Sequence, residues 1–171
     1  WRPKLQNIGG VSQQDWIYSL AVNPNTPNIV YAASHEHGPL RSDDRGETWY
    51  PVVSGITDGS GRSIGVDPKN SSNVYLGVWH RSGVFKTING GLSWVLEENG
   101  IADSKIFGLA IDPIQPTTLY LATYNQGVMK STNSGLTWLP AGSRLPSIYG
   151  LLVDPSNHLR VFAGTAGEGL L

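Results

Sequence analysis

Apolar residues along this chain come in short runs broken by Gly, Pro, Asn and Asp. One kind of run ends each time in Asn-Pro or Asp-Pro: Leu20-Ala21-Val22-Asn23-Pro24, Ile64-Gly65-Val66-Asp67-Pro68, Leu109-Ala110-Ile111-Asp112-Pro113 and Leu151-Leu152-Val153-Asp154-Pro155. Proline lacks the N–H that strand pairing needs, so the dipeptide marks a turn. A second run follows each turn: Ile29–Ala33, Val74–Gly77, Leu119–Ala122 and Val161–Gly164. These runs predict strands A (Ile17–Val22 and its equivalents) and B. A strand C is predicted over Pro39–Ser42, Val84–Thr87 and Val128–Ser131, and a strand D begins at the tryptophan that follows each of them.

A polar octet separates C from D. It reads Ser42-Asp43-Asp44-Arg45-Gly46-Glu47-Thr48-Trp49, Thr87-Ile88-Asn89-Gly90-Gly91-Leu92-Ser93-Trp94 and Ser131-Thr132-Asn133-Ser134-Gly135-Leu136-Thr137-Trp138. Trp1, Trp49, Trp94 and Trp138 recur at intervals of 48, 45 and 44 residues. Four strands in a period of this length predict the blades of an all-β propeller. The expected architecture is a single domain of about four blades, with repeats at 1–48, 49–93, 94–137 and 138–171.

The octet has a physical reading as a hairpin. Asp44, Asn89 and Asn133 can accept backbone N–H bonds, and Gly46, Gly91 and Gly135 can take positive φ without steric cost. The hydroxyls of Ser42 and Thr48, with their equivalents, can tie the two strands. Trp49, Trp94 and Trp138 offer a large apolar face for packing within the blade. The motif holds Ser, Asp and Thr together, as a catalytic site does, but it recurs in each repeat. It is read as structural.

At these residues the chain resembles the Asp-box (bacterial neuraminidase) repeat families. Its blades look most like those of xyloglucanase-type glycoside hydrolases, sortilin-type propellers and photosystem II assembly factor propellers. The resemblance implies a fold shared by enzymes and binders. Sialidases of this class carry an arginine triad, and Arg2, Arg41, Arg45, Arg62, Arg81, Arg144 and Arg160 match no such motif. The xyloglucanase type uses paired aspartates between two propellers, and no catalytic residue carries over.

Composition sharpens this picture in a few places. A net charge of −1 offers no field for a phosphate backbone, so nucleic acid is not an expected partner. No apolar run is long enough to span a membrane. There is no cysteine, which excludes disulfides and thiolate metal sites. No cofactor and no metal is implied. Few charges and much Ser, Asn, Thr and Gly lean toward a secreted or periplasmic protein.

The fourth repeat stops at Gly169-Leu170-Leu171, before a C–D hairpin, and the chain starts at Trp1. Trp1–Gln6 is therefore expected to be a D strand that closes a blade formed by the C-terminal residues, in the same chain or in a partner chain. Two chains would supply eight blades; a piece of a longer propeller is the alternative.

Function is expected where the repeat breaks down, because those positions are free of the scaffold's demands. The B–C turns differ between blades: Ser34-His35-Glu36-His37-Gly38, Trp79-His80-Arg81-Ser82-Gly83, Tyr124-Asn125-Gln126-Gly127 and Ala166-Gly167-Glu168-Gly169. Ligand-binding candidates are His35, Glu36, His37, Trp79, His80, Arg81, Tyr124, Asn125, Gln126 and Glu168. The D–A loops add Asp15, Trp16, Asp58, Arg62, Asp103, Lys105 and Arg144. His35 and His37 have a spacing that suits a metal, but no third ligand is evident. Glu36, Asp58, Asp103 and Glu168 are the acids available for glycoside hydrolysis. The reading is a non-catalytic binding or assembly module for a glycan or a protein surface, with a glycoside hydrolase fragment or a self-assembling half-propeller as alternatives.

Overall fold

The structure, a computed structural model, describes residues 15–102, 105–142, 148–167 and 169–171. The expected strand Trp1–Gln6, the acids Asp103 and Glu168, and Arg144 lie outside them. Every regular element among the described residues is a β-strand. The first blade is β1 (Ile17–Val22), β2 (Val30–Ser34), β3 (Gly38–Ser42) and β4 (Tyr50–Pro51). The second is β5 (Gly61–Val66), β6 (Val74–Val78), β7 (Val84–Thr87) and β8 (Val95–Glu97). The third is β9 (Ile106–Ile111), β10 (Leu119–Thr123), β11 (Gly127–Ser131) and β12 (Leu139–Pro140). The fourth has three strands, β13 (Ile148–Val153), β14 (Val161–Thr165) and β15 (Gly169–Leu170). Each sheet is an antiparallel meander in chain order, and together they make a four-blade β-propeller array.

The turns follow the chemistry of their residues. At each A–B turn the Asx side chain caps two backbone N–H groups: Asn23 Oδ1 accepts from Asn25 and Thr26 at 2.9 and 3.0 Å, and Asp112 Oδ1 from Ile114 and Gln115 at 2.8 and 2.9 Å. At the first C–D hairpin Asp44 accepts from the Thr48 N–H at 2.8 Å, the Thr48 hydroxyl at 2.6 Å and Ser42 Oγ at 2.8 Å. Those bonds hold its carboxyl down at about 2. Asn89 and Asn133 do the same with an amide, each donating Nδ2 to the hydroxyl of Ser93 or Thr137. The hairpin tip needs two successive left-handed residues: Arg45 and Gly46, Gly90 and Gly91, Ser134 and Gly135.

Two of the tryptophans do more than pack within a blade. Strand D starts one residue after each of them; the rings of Trp94 and Trp138 reach the preceding blade, whereas Trp49 clusters with residues of blade 1. Trp94 clusters with Tyr31 and Ala33 of blade 1 as well as with Leu76 and Phe85 of blade 2. Its N–H groups donate to Ser54 O at 2.8 Å and, through Nε1, to Val52 O at 2.7 Å. Trp138 likewise joins Tyr75 and Val84 of blade 2 to Leu119 and Met129 of blade 3. A ring this large fills the wedge between radiating sheets, where a single blade has no room for it.

The A strands lie side by side, β1 against β5, β5 against β9 and β9 against β13, with no comparable packing between β13 and β1 among the described residues. Small residues allow this approach. A Cβ on Gly77 would meet Ile106 Cγ2 at 2.4 Å, and one on Gly65 would meet Leu109 Cδ2 at 2.7 Å. The outer blades keep the same faces with no cover among the described residues. Leu20 and Val22 on β1, and Leu152 on β13, are more than half exposed. Gly150 and Gly164 have nothing within 4 Å of a Cβ position. They line an apolar cavity of about 430 Å³ with Leu151, Leu152, Phe162 and Leu170.

Candidate functional site: the B–C loop face

Every A strand begins with the same irregularity. The register jumps between Ile17 and Ser19, between Gly61 and Ser63, across Phe107, and between Ile148 and Gly150. The skipped residues are Tyr18, Arg62, Phe107 and Tyr149. A β-bulge re-aims the side chain of its extra residue. Here four bulges at one repeat position set four side chains in a row across the blades. Arg62 Cζ lies 3.8 Å from the Tyr18 ring centroid and 5.6 Å from that of Phe107, and Phe107 meets Tyr149 at 4.7 Å.

A second tier sits outside this row, on the first residue of each B–C turn: His35, Trp79, Tyr124 and Ala166. Its backbone is fixed by the start of the A strand, because the N–H groups of His35, Trp79 and Tyr124 donate to the carbonyls of Trp16, Ser60 and Lys105 at 2.9–3.0 Å. The tiers touch. Trp79 stands edge-on to Phe107 at 4.9 Å and Tyr124 is tilted on it at 6.0 Å. His35 contacts Trp16, Tyr18 and His80 at 5.7–5.9 Å. Lys105 Nζ lies 4.7 Å from the Trp79 centroid and 5.8 Å from that of Tyr124. The result is a continuous strip of rings and cations over four blades, with Trp16, Tyr18, Tyr124 and Tyr149 all exposed. Beside it lies a cavity of about 240 Å³ lined by Trp79, His80, Arg81, Ser82, Lys105, Tyr124 and Asn125.

The sequence candidates divide between this strip and its supports. Trp79, His80, Arg81, Tyr124 and Asn125 share the cavity, and His35 joins them through His80. His37 is engaged elsewhere: its Nδ1 lies 2.9 Å from Asp15 Oδ2, and its N–H donates to Ser34 Oγ at 2.8 Å. Asp15 also accepts from the Ser34 hydroxyl and from the Glu36 N–H. Burial pushes the Asp15 carboxyl up, but the bonds from Ser34, His37 and Glu36 outweigh it and leave it below its ordinary value. The imidazoles of His35 and His37 thus face different neighbours, and no group of three or more His, Asp or Glu among the described residues could hold a metal ion. Gln126 bridges the loops, accepting from the Ala102 N–H at 3.0 Å and donating to Gly100 O.

Blade 2 builds its turn differently. Strand B ends in a hydroxyl in the other blades (Ser34, Thr123 and Thr165) but in Val78 here. Ser60, from the D–A loop, takes over and accepts from the Trp79 and His80 N–H groups at 3.2 and 3.1 Å. Asp58 holds Ser60 in place, accepting its N–H and hydroxyl at 2.9 and 2.5 Å. Asp58 is buried, with Oδ2 unpartnered among the described residues and His80 Nδ1 3.9 Å from Oδ1. Among the described residues no carboxylate lines the cavity itself.

Phe107, Tyr18 and Tyr149 were not singled out from the sequence, and Arg62 and Lys105 only as loop additions. Stacking the repeats in register would have raised the first three, since they fill one variable column at the head of strand A.

No family model matches this chain, and no curated protein matches its sequence. Solved structures do. An ancestral GH74 enzyme superposes with a TM-score of 0.78 at 22% identity, over 99% of this chain and 23% of that one. The GH74 xyloglucanase from Xanthomonas campestris gives 0.71 at 17%, over 91% of this chain and 28% of that one. YCF48 bound to D1 peptide gives 0.69 at 14%, over 96% and 49%. Identities this low show the propeller fold alone. The chain spans less than half the length of each of these structures.

Proposed function

We propose that this chain is an Asp-box propeller that acts as a non-catalytic binding module, holding an extended ligand along its B–C loop face. The supporting observation is the two-tier strip, in which bulged residues of four A strands and the first residues of three B–C turns form one surface. Sugar rings stack their C–H faces on exposed aromatic side chains, and charged side chains at the ring edges supply orientation. One of the GH74 neighbours is a xyloglucanase and YCF48 is seen bound to D1 peptide, so a glycan is the first ligand to test and a peptide the second. Among the described residues the cavity lining holds no carboxylate, whereas glycoside cleavage uses two about 5–10 Å apart. A glycan array read in parallel with a reducing-sugar assay tests the reading. Binding without product, abolished in Trp79→Ala and Tyr124→Ala proteins that keep their melting temperature, is expected. Release of reducing ends would show a hydrolase.

A second reading is favoured by the open faces of the outer blades. Leu20 and Val22 of β1 correspond in the repeat to Leu109 and Ile111, which cover Gly65 inside the array. The position of Gly65 on β13 is held by the exposed Leu152, beside Gly150 and Gly164. A second copy docking β1 against β13 would repeat the internal contact, and two copies would give a ring of about eight blades. Light scattering at increasing concentration tests this. A dimer mass that falls to the monomer in Leu20→Asp is expected; a monomer throughout would refute it.

A further inference from the structure

Arg62 separates the strip from a plain sugar platform. Several other cations among the described residues are committed. Arg41 is bound to Asp43 at 2.7 Å and to Gly90 O at 2.7 Å, and Arg45 to Asn28 at 2.8 Å. Lys69 and Lys86 reach the carbonyls of Ile114 and Ser134 at 2.6 and 2.8 Å. Arg62 has no carboxylate within ion-pair distance among the described residues. Its neighbours are rings, Tyr18 at 3.8 Å, Trp79 at 5.0 Å and Phe107 at 5.6 Å. Stacked rings use the faces of a guanidinium and leave its N–H edge, which is the part that binds a carboxylate bidentately. Lys105 brings a second cation to the same Trp79 ring at 4.7 Å, and Arg81 brings a third to the cavity, with one bond to Thr57 Oγ1 at 3.0 Å.

Among the described residues two acids of this face are held by other groups: Asp15 is tied to Ser34 and His37, and Asp58 is buried against Ser60. A neutral sugar leaves the edge of Arg62 without a partner, and a small anion makes no use of the rings. A uronate residue satisfies both: its pyranose face stacks on an aromatic while the carboxylate lies at the ring edge, toward a flat guanidinium. A peptide fits less well. Peptide strands bind by adding to a free edge, and the N–H groups of His35, Trp79 and Tyr124 at this rim are already spent on the chain's own carbonyls.

We infer that the strip binds an acidic glycan, with Arg62 and Lys105 reading uronate carboxylates between the aromatic platforms. This rests on the loop face being a ligand site. The test is calorimetric titration of the whole chain with three probes: a galacturonate hexamer, a neutral xyloglucan oligosaccharide and a glutamate hexamer. The galacturonate hexamer is expected to bind at least about tenfold more tightly than the neutral probe, roughly the gain of one charge-assisted contact. That preference is expected to weaken with salt and to vanish in Arg62→Gln. Lys105→Gln, at an exposed position, is expected to reduce it and serves as the check if Arg62→Gln lowers the melting temperature. Equal binding of acidic and neutral glycans would overturn the acidic assignment and leave the glycan site standing. Binding of the glutamate hexamer alone would make this a peptide site. If none of the three binds the folded protein, the loop-face reading falls with it.

Discussion

Gly77 and Gly164 occupy the same position on strand B, the first inside the array and the second on the outer blade, so one substitution at both measures what a neighbouring blade contributes. Neither has positive φ, and alanine is conformationally acceptable at each. Gly→Ala at a compatible site stabilises by about 0.4–1 kcal/mol through the unfolded chain. Gly164→Ala should show this gain, because nothing lies within 4 Å of its Cβ position. In Gly77→Ala the new methyl would lie 2.4 Å from Ile106 Cγ2 and 2.9 Å from Ile106 Cβ. Rotating Ile106 moves Cγ2 but not Cβ, so β9 must shift as a strand. Overpacking of this kind costs about 1–3 kcal/mol. The unfolded-chain gain is common to both and cancels, so the two variants should differ by about 1–3 kcal/mol, Gly77→Ala being the weaker. At about 2–4 °C per kcal/mol for a domain of this size, that separation is readily measured. The assay is urea unfolding at a concentration where the mass is monomeric. Equal destabilisation of both variants would mean that the Gly164 face is covered in the monomer and that the array is not open. At higher concentration Gly164→Ala should weaken self-association, since the same methyl would then meet β1 of a second copy.

Other expectations are local. Asp44 titrates at about 2 against an ordinary 3.8, so the stability it contributes is full above 3.8 and is lost as pH falls toward 2; Asp44→Asn should flatten this acid limb in a plot of melting temperature against pH. At neutral pH Asp44→Asn should retain stability, since Asn89 and Asn133 already do the same work, whereas Asp44→Ala should lose it and still bind ligand. Ser60→Ala should cost about 1–3 kcal/mol, because it removes a donor to buried Asp58 and the acceptor for two N–H groups. In the same variant the fluorescence of Trp79 should change and ligand affinity should fall, and an unaltered affinity would mean that Ser60 does not position the strip.

Much of the fold was legible because each blade repeats its own local instructions. The Asx-Pro turns and the C–D hairpins are fixed by side chains bonding backbone a few residues away, and such interactions show in a linear pattern. Within the described residues the strand assignments held for that reason, to within a residue at their ends. The tryptophan was half legible: its size announced a packing role, but the wedge it fills lies between blades.

The site was less legible, for a physical reason. Trp79, His80, Arg81 and Tyr124 stood out because they interrupt the repeat. Tyr18, Phe107 and Tyr149 did not, and Arg62 did only as a loop residue, because they sit inside strands whose other positions keep it. Their direction is set by a bulge, which depends on how β1, β5, β9 and β13 pair with their neighbours and leaves no mark of its own in the residues. The sequence by itself thus determined the blade, its turns and the number of blades. Tertiary structure alone decided that one column of residues, 44 or so apart along the chain, becomes a row of touching rings around a guanidinium, because blades packed face to face bring equivalent positions within contact distance.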